Sequence, residues 1–295
     1  MKLTVKEYFS LRRNIRAFDE GYLQFLAIDG LPGVGKSTEA EKACPEAHRL
    51  NGALTAFEFY RELYRYRDED FLLDDIDGFC RDRNLVRIAK CLCDTRPNKT
   101  VAWHTAASQL DAEGIPREFP TKSRAIFIAN DWKVFNQNVG ALQDRGLVIH
   151  FKPTPEEVHA QVVSWAPDRE VYEFIGSHLR LITEPSMRHY VEGAELRKAG
   201  LDWEQALLET WNVDPRVRVL LRLENSLLKP AERVKSFKRE TGASRRTYFY
   251  LQKQIREARI GNSCTPAPAS AHLWRKRISA TPLGKQQTTD QIRGR

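Results

Sequence analysis

The sequence predicts an α/β core built on a parallel sheet, followed by an α-helical region and a small, basic all-α module. Three observations lead there. Compact apolar runs, LQFLAIDG (23–30), FLLDDID (71–77), RAIFIAND (124–131) and LVIHF (147–151), are separated by helical patterns, the alternation that builds a parallel sheet. From Glu156 onward the apolar spacing is helical throughout. Charge is also unevenly divided: residues 1–212 carry 28 Lys and Arg against 33 Asp and Glu, whereas 213–260 carry 13 against 5 and 261–295 carry 6 against 1. The net charge of +8 thus combines a mildly acidic body, residues 1–212, with a strongly basic last quarter. That division separates a catalytic part from an anion-binding part, and nucleic acid is the first anion to consider.

Taken in order, TVKEYFSLRRNIRAF (4–18) reads as a short N-terminal helix. The strand at 23–30 gives way to a helix from about Lys36, and TAFEFYRELYRYRDED (55–70) is helical by spacing, with Thr55 as its N-cap. After the strands at 71, 124 and 147 come EEVHAQVVSW, REVYEFIGSHL, PSMRHYVEGAELRKAG and DWEQALLETW, a run of helices ending near residue 212. A second helical group covers 215–228, 231–240 and 244–259; Asp214-Pro215 starts its first helix, Lys229-Pro230 ends that helix, and Ser244 caps the last. The tail from 261 is rich in Pro, Ser, Thr and Gly and is expected to be mostly disordered. The expected units are a core at 1–152, a helical lid at 153–212, a basic module at 213–260 and a basic tail at 261–295.

Several classes are excluded. With 41% hydrophobic and 29% charged residues the chain is not disordered throughout. No apolar run approaches the ~18 residues of a membrane span. The N-terminus lacks the apolar stretch of a secretory signal, and Glu7 and Asp19 beside Arg12, Arg13 and Arg16 argue against a transit peptide. Five cysteines in no framework spacing fit a reduced, cytoplasmic chain. Cys91-x-Cys93 with His104 matches no common zinc spacing and reads as small core residues.

The strongest chemical signal is Gly30-Leu-Pro-Gly33-Val34-Gly35-Lys36-Ser37-Thr38, which satisfies G-x-x-x-x-G-K-[ST] between an apolar strand and a helix. Glycines let the backbone wrap a phosphate chain with its N–H groups turned inward, at the positive end of the helix that follows. Lys36 reaches the β- and γ-phosphates, and the Ser37 hydroxyl is a ligand for Mg²⁺. The expected cofactors are therefore ATP and Mg²⁺. Carboxylates at the end of a buried strand need a compensating charge, which a metal–nucleotide supplies. In FLLDDID, Asp74 is the candidate magnesium-associated carboxylate and Asp75 the group that polarises the attacking water; Asp77 reads as loop charge.

In this order the motifs resemble those of the AAA+ ATPases, a family of P-loop molecular machines, over roughly residues 20–212. Gly30 to Ser37 looks like its Walker A and FLLDDID like its Walker B, which implies a parallel-sheet P-loop core and an α-helical lid. AIFIAND ends a strand in Asn130, as a sensor-1 strand does, implying a residue that helps hold the attacking water. Ala141-Leu-Gln-Asp144-Arg145-Gly resembles the segment carrying an arginine finger, in which Arg145 would act on a neighbouring subunit's nucleotide. Ser186-Met-Arg188 resembles the sensor-2 position, implying a lid arginine on the phosphates. Read without the family, Asn130 is a turn residue before Trp132, Arg145 a surface arginine after a helix and Arg188 a lone helix-face charge. Two departures stand out. The family's Walker B usually ends Asp-Glu, whereas this one has Asp74-Asp75, one methylene shorter. Lys36 and Asp74 are also only 38 residues apart, which leaves no room for a large substrate-gripping insertion.

In the basic module, AERVKSFKRE, a turn at Thr241-Gly242-Ala243 and RRTYFYLQKQIREARI have the outline of a helix-turn-helix. Val234, Phe237, Ala243, Tyr248, Leu251 and Ile255 would form its core. Arg245, Arg246, Tyr250 and Lys253 would face outward toward phosphates and base edges. An amphipathic helix docking on the lid or on another subunit has the same pattern. Trp274-Arg-Lys-Arg277 in the tail would add contacts to phosphates. The expected activity is ATP hydrolysis at subunit interfaces of a homo-oligomeric ring or filament acting on DNA or a DNA-bound protein client. Two alternatives are an ATP-dependent binding switch with slow turnover and a P-loop kinase of a small metabolite.

Overall fold

The computed structural model describes residues 1–75, 82–96, 99–105, 108–130, 142 and 144–262. Asp77, Trp132 and the tail with Trp274–Arg277 lie outside the described residues, as do Ala141 and Gln143 of the segment before Arg145.

Six parallel strands form the central sheet: β1 (Lys2–Val5), β2 (Phe25–Gly30), β3 (His48–Asn51), β4 (Phe71–Asp74), β7 (Ala125–Ala129) and β8 (Leu147–Phe151). They lie in the order β1-β8-β2-β7-β4-β3. Between β4 and β7 a separate antiparallel pair is formed by β5 (Lys99–Ala102) and β6 (Glu118–Thr121). The helices of this part are α1 (Tyr8–Asp19), α2 (Lys36–Ala43), α3 (Ala56–Arg65), α4 (Arg83–Leu92) and α5 (Ser108–Ala112). Then come α6 (Pro155–Val162), α7 (Arg169–Ser177), α8 (Arg188–Lys198) and α9 (Trp203–Thr210), and finally α10 (Pro215–Glu224), α11 (Pro230–Thr241) and α12 (Arg245–Asn262).

Strand β2 is buried at all six positions because it pairs with β7 on one side and β8 on the other and is covered on both faces. The alternation along each strand then sorts side chains into two cores. Leu26, Ile28, Leu72, Ile126 and Ile149 pack toward α1, α2 and the C-terminal helices. Phe25, Ala27, Leu73 and Phe127 pack toward α3, α4 and the β5–β6 pair. The first of these cores runs on without a break through Val171, Trp211 and Leu220 to Phe237 and Ile255. Thr55 caps α3 as expected, its hydroxyl accepting from the Glu58 N–H at 3.2 Å. Asp214 caps α10 in the same way through Arg216 N.

Three elements correct the sequence reading. The N-terminal helix begins at Tyr8; the residues before it form an edge strand, β1, in register with β8 from Lys2↔Val148 to Val5↔Phe151. Strand β3 (HRLN) shows no apolar run because it is the opposite edge, where only alternate positions meet the core. The β5–β6 pair carries Pro120, which removes a ladder donor and hides it from strand patterning. Between Lys36 and the start of β4 lie α2, the four-residue β3 and the ten-residue α3.

Candidate functional site

All six strands run the same way, so the carboxyl ends of β2, β4 and β7 open on one edge of the sheet. Ligands of open parallel sheets bind at that edge. Here β2 ends in Gly30, β4 in Asp74, and Asn130 directly follows β7. The loop from Gly30 to Gly35 leads into the first turn of α2. Gly33 and Gly35 hold φ of +73° and +79°, a left-handed region that only glycine adopts at little cost. Gly30 has φ +149°, and a Cβ there would lie 2.1 Å from the Phe151 carbonyl oxygen of β8. The glycines at these positions are therefore required by the fold of the loop itself.

Lys36 is 5% exposed, and its Nζ donates to the carbonyls of Gly30 (2.7 Å) and Leu31 (2.8 Å) and to Asn130 Oδ1 (3.2 Å). An ammonium held by three oxygens at the mouth of an amide-lined loop is ready to exchange them for an anion. The opening N–H groups of α2 have no partners within the helix and add to the positive field. Asp74 is half-buried and accepts from the Asp75 N–H at 2.9 Å; Asp75 is exposed, with φ +55°.

The helical region closes the other side. Met187 N donates to the Gly33 carbonyl at 2.7 Å, so the start of α8 is bonded directly to the loop. Ser186 Oγ accepts from Arg188 N at 3.2 Å, which fixes the turn that carries Arg188. From the far side, the Tyr8 hydroxyl of α1 donates to the Val34 carbonyl at 2.8 Å. Burial, with Glu39 and Glu157 nearby, keeps that phenol protonated far above its usual range. Arg12 pairs with Glu39 of α2 and also reaches Gln161 of α6, tying three elements together.

The cleft so enclosed has a volume of about 940 Å³, lined by Gly33, Gly35, Lys36, Ser37, Thr38, Asp74, Asp75, Asn130 and Arg188, with Arg12, Gln161 and Trp165 at its margin. That is the upper end of the ~300–1,000 Å³ typical of small-molecule sites and is larger than a lone phosphate needs. Of the nucleotide-site residues expected from one subunit, Gly33, Gly35, Lys36, Ser37, Thr38, Asp74, Asp75, Asn130 and Arg188 line this cleft, whereas Gly30 and Val34 belong to the loop but not to the lining. Arg145 stands apart. It precedes β8 at the opposite edge of the sheet, donates to the Lys90 carbonyl and lies 4.0 Å from Asp94. Tyr8, Arg12, Gln161 and Trp165 carried no motif in the sequence; the tertiary fold alone brings them to the loop.

Ser37 and Asp74 supply hard oxygen donors suited to Mg²⁺, which usually takes one or two protein ligands and completes its shell with phosphate and water. Among the described residues no cluster of three or more His, Cys, Asp or Glu forms a metal site. Cys93 is instead buried in the core, its thiol pushed up to about 12 by burial.

The basic residues Arg245, Arg246 and Lys253 of α12 lie on its exposed side. Arg245, Arg246, Tyr250 and Lys253 are exposed, and Phe237, Tyr248, Leu251 and Ile255 are buried. The buried face packs on α10, α11 and α7, so this module also docks on the lid.

The strand order, the glycine loop and the helices that follow define an α/β P-loop fold with a helical C-terminal region. No protein-family model matches the chain. An uncharacterized 36.7 kDa protein from the nrdC–mobD intergenic region of Enterobacteria phage T4 is 32% identical over 120 residues, 37% of this chain and 37% of that protein. The match therefore spans little more than a third of that relative. Among solved structures, the FIGL-1 AAA domain in complex with ADP is similar at 13% identity and TM-score 0.38, covering 79% of this chain and 86% of that one. A DNA replication initiation factor is similar at 12% identity and TM-score 0.42 (92% and 87% covered). NtrX from Brucella abortus with ADP is similar at 11% identity and TM-score 0.44 (92% and 67%). No helix among the described residues is long and apolar enough to cross a membrane.

Proposed function

We propose that this chain is an AAA+-type ATPase that binds and hydrolyses ATP between subunits of a homo-oligomer and acts on DNA or a DNA-bound protein. The observation that carries the reading is the convergence of Lys36, Asp74, Asn130 and Arg188, from four separate elements, on one glycine-walled cleft. Backbone amides of the loop and α2 bind the phosphates, and Lys36 moves from the Gly30 and Leu31 carbonyls onto them. Ser37 and Asp74 would hold Mg²⁺, which would supply charge neutralisation with nucleotide bound. Asp75 polarises water, Asn130 orients it, and Arg188 carries the phosphate state to the lid through the Met187–Gly33 bond. Arg145, remote from its own cleft, completes a neighbour's site. The basic face of α12 engages DNA.

The test of the shared site is complementation. Lys36→Ala and Arg145→Ala proteins are each inactive alone. Mixed, they should recover part of the wild-type ATPase, because a Lys36→Ala subunit still offers Arg145 to an intact loop. No recovery on mixing, in proteins that co-assemble, rejects the interfacial role of Arg145.

A second reading, an ATP-dependent binding switch with slow turnover, is favoured by one feature. Asp75 is a methylene shorter than glutamate and is held at positive φ. Single-turnover hydrolysis compared with ATP-driven oligomerisation separates the two.

A further inference from the structure

Helix α12 has two unlike faces. Tyr248, Leu251 and Ile255 are buried on one side. At 100° per residue, Arg245, Arg246, Phe249, Tyr250, Lys253 and Arg256 fall within an arc of about 140° on the other. All six are exposed. Among the acids whose side chains are described, Glu240 pairs with Arg222 and Glu224 accepts from Gln252 Nε2 at 3.0 Å, so neither stands within the stripe. The stripe is therefore cationic, with two aromatic rings set among the charges.

Both rings are exposed, Phe249 at 46% and Tyr250 at 59%. They are also held in place. Buried Tyr248 meets Phe249 edge-on, with ring centres 5.2 Å apart at 86°. The Arg245 guanidinium lies 5.5 Å from the Phe249 ring centre. The Tyr250 hydroxyl accepts from Gln254 Nε2 at 2.8 Å. A ring fixed before its partner arrives has already lost its rotamer freedom, so binding need not supply that cost. Reading a duplex groove calls for side chains that hydrogen-bond to base edges. Fixed rings offer flat faces instead, and stacking on those requires bases that are unpaired.

We infer that α12 binds single-stranded DNA, with its arginines and Lys253 along the phosphates and Phe249 and Tyr250 stacking on exposed bases. This rests on the DNA reading above and adds to it strandedness and two residues, Phe249 and Arg256. Base–aromatic stacking implies that removing one ring weakens binding by about fivefold to about a hundredfold.

The experiment is fluorescence anisotropy on the full chain, using a labelled oligo(dT) of about twenty nucleotides, longer than the ~4–16 nucleotides that single-strand binders cover. A blunt duplex of equal length is measured beside it over a salt series. The variants are Phe249→Leu with Tyr250→Leu, which keep apolar bulk without a ring, and Arg245→Ala with Arg246→Ala. Wild type should prefer the single strand. The leucine pair should lose that preference but keep its salt slope, and the alanine pair should lose both affinity and slope. Equal or stronger duplex binding that the leucine pair leaves unchanged overturns the inference while sparing the DNA reading. No salt-dependent binding to either probe overturns both. Helical circular dichroism of each variant, matched to wild type, separates lost contacts from lost folding.

Discussion

Replacing Gly33 with alanine tests the union of loop and lid at a single atom. The backbone there has φ +73°, which costs a residue with a Cβ about 1–2 kcal/mol. The new Cβ would also stand 2.1 Å from Ser186 Oγ and 3.2 Å from Ser186 Cβ. The hydroxyl can rotate away, but it then releases the Arg188 N–H it now accepts at 3.2 Å, a loss of about 1 kcal/mol. Together these come to about 2–3 kcal/mol. A relaxed loop must climb back to the cradle conformation to bind phosphate, so this energy appears as weaker nucleotide affinity, by about thirtyfold to about a hundredfold. Ser186→Ala alone forfeits the same cap bond, by about 1 kcal/mol. In the double variant that bond is counted only once. The cycle should therefore show a favourable coupling of about 1 kcal/mol. The assay is titration of a fluorescent ATP analogue against the four proteins. Strict additivity, or wild-type affinity in Gly33→Ala, refutes the reasoning.

Tyr8→Phe removes only the bond to the Val34 carbonyl and should lower unfolding stability by about 1 kcal/mol in urea titrations, with a parallel loss of nucleotide affinity. Arg145→Ala should leave ATP binding within about twofold of wild type and abolish multiple-turnover hydrolysis, as measured by phosphate release. Burial pushes the His159 imidazole down to about 4, against a weaker opposing effect of Glu156. The folded lid thus resists protonating it; the stability from the neutral ring is full above about pH 6.5 and is lost as pH falls toward 4. Near pH 5 the loss should be about 1–2 kcal/mol, and His159→Gln should flatten the slope of the pH–stability curve relative to wild type.

The sequence was legible where one residue type has one physical use. Gly33 and Gly35 had to be glycine at positive φ, and the runs at 25, 71, 125 and 147 had to be doubly covered strands. Asn130 was read as a strand tip, and the structure brings it to Lys36. What escaped notice were elements whose signal is tertiary. β1 and β3 are sheet edges with few buried positions, and the Met187–Gly33 bond involves main chain alone. The continuity of one apolar core from α2 to α12 was also hidden, because each helix looks complete in its own pattern. That continuity bears on how the proposed DNA role can be tested. Removing residues 213–295 would uncover the lid's face around Val171 and Trp211, so the DNA role is better tested by substitutions on the exposed side of α12.

The most direct test is calorimetric titration of ATP with Mg²⁺ into the wild-type chain, Lys36→Ala and Asp74→Asn. The wild type should bind one nucleotide per chain, and Lys36→Ala should fall by about a hundredfold or more, since a buried charged donor is lost. Asp74→Asn should retain metal-free nucleotide but lose the gain conferred by Mg²⁺. A wild type that takes up no nucleotide, or a Lys36→Ala protein that binds equally well, would contradict the phosphate-site assignment on which the proposed activity rests.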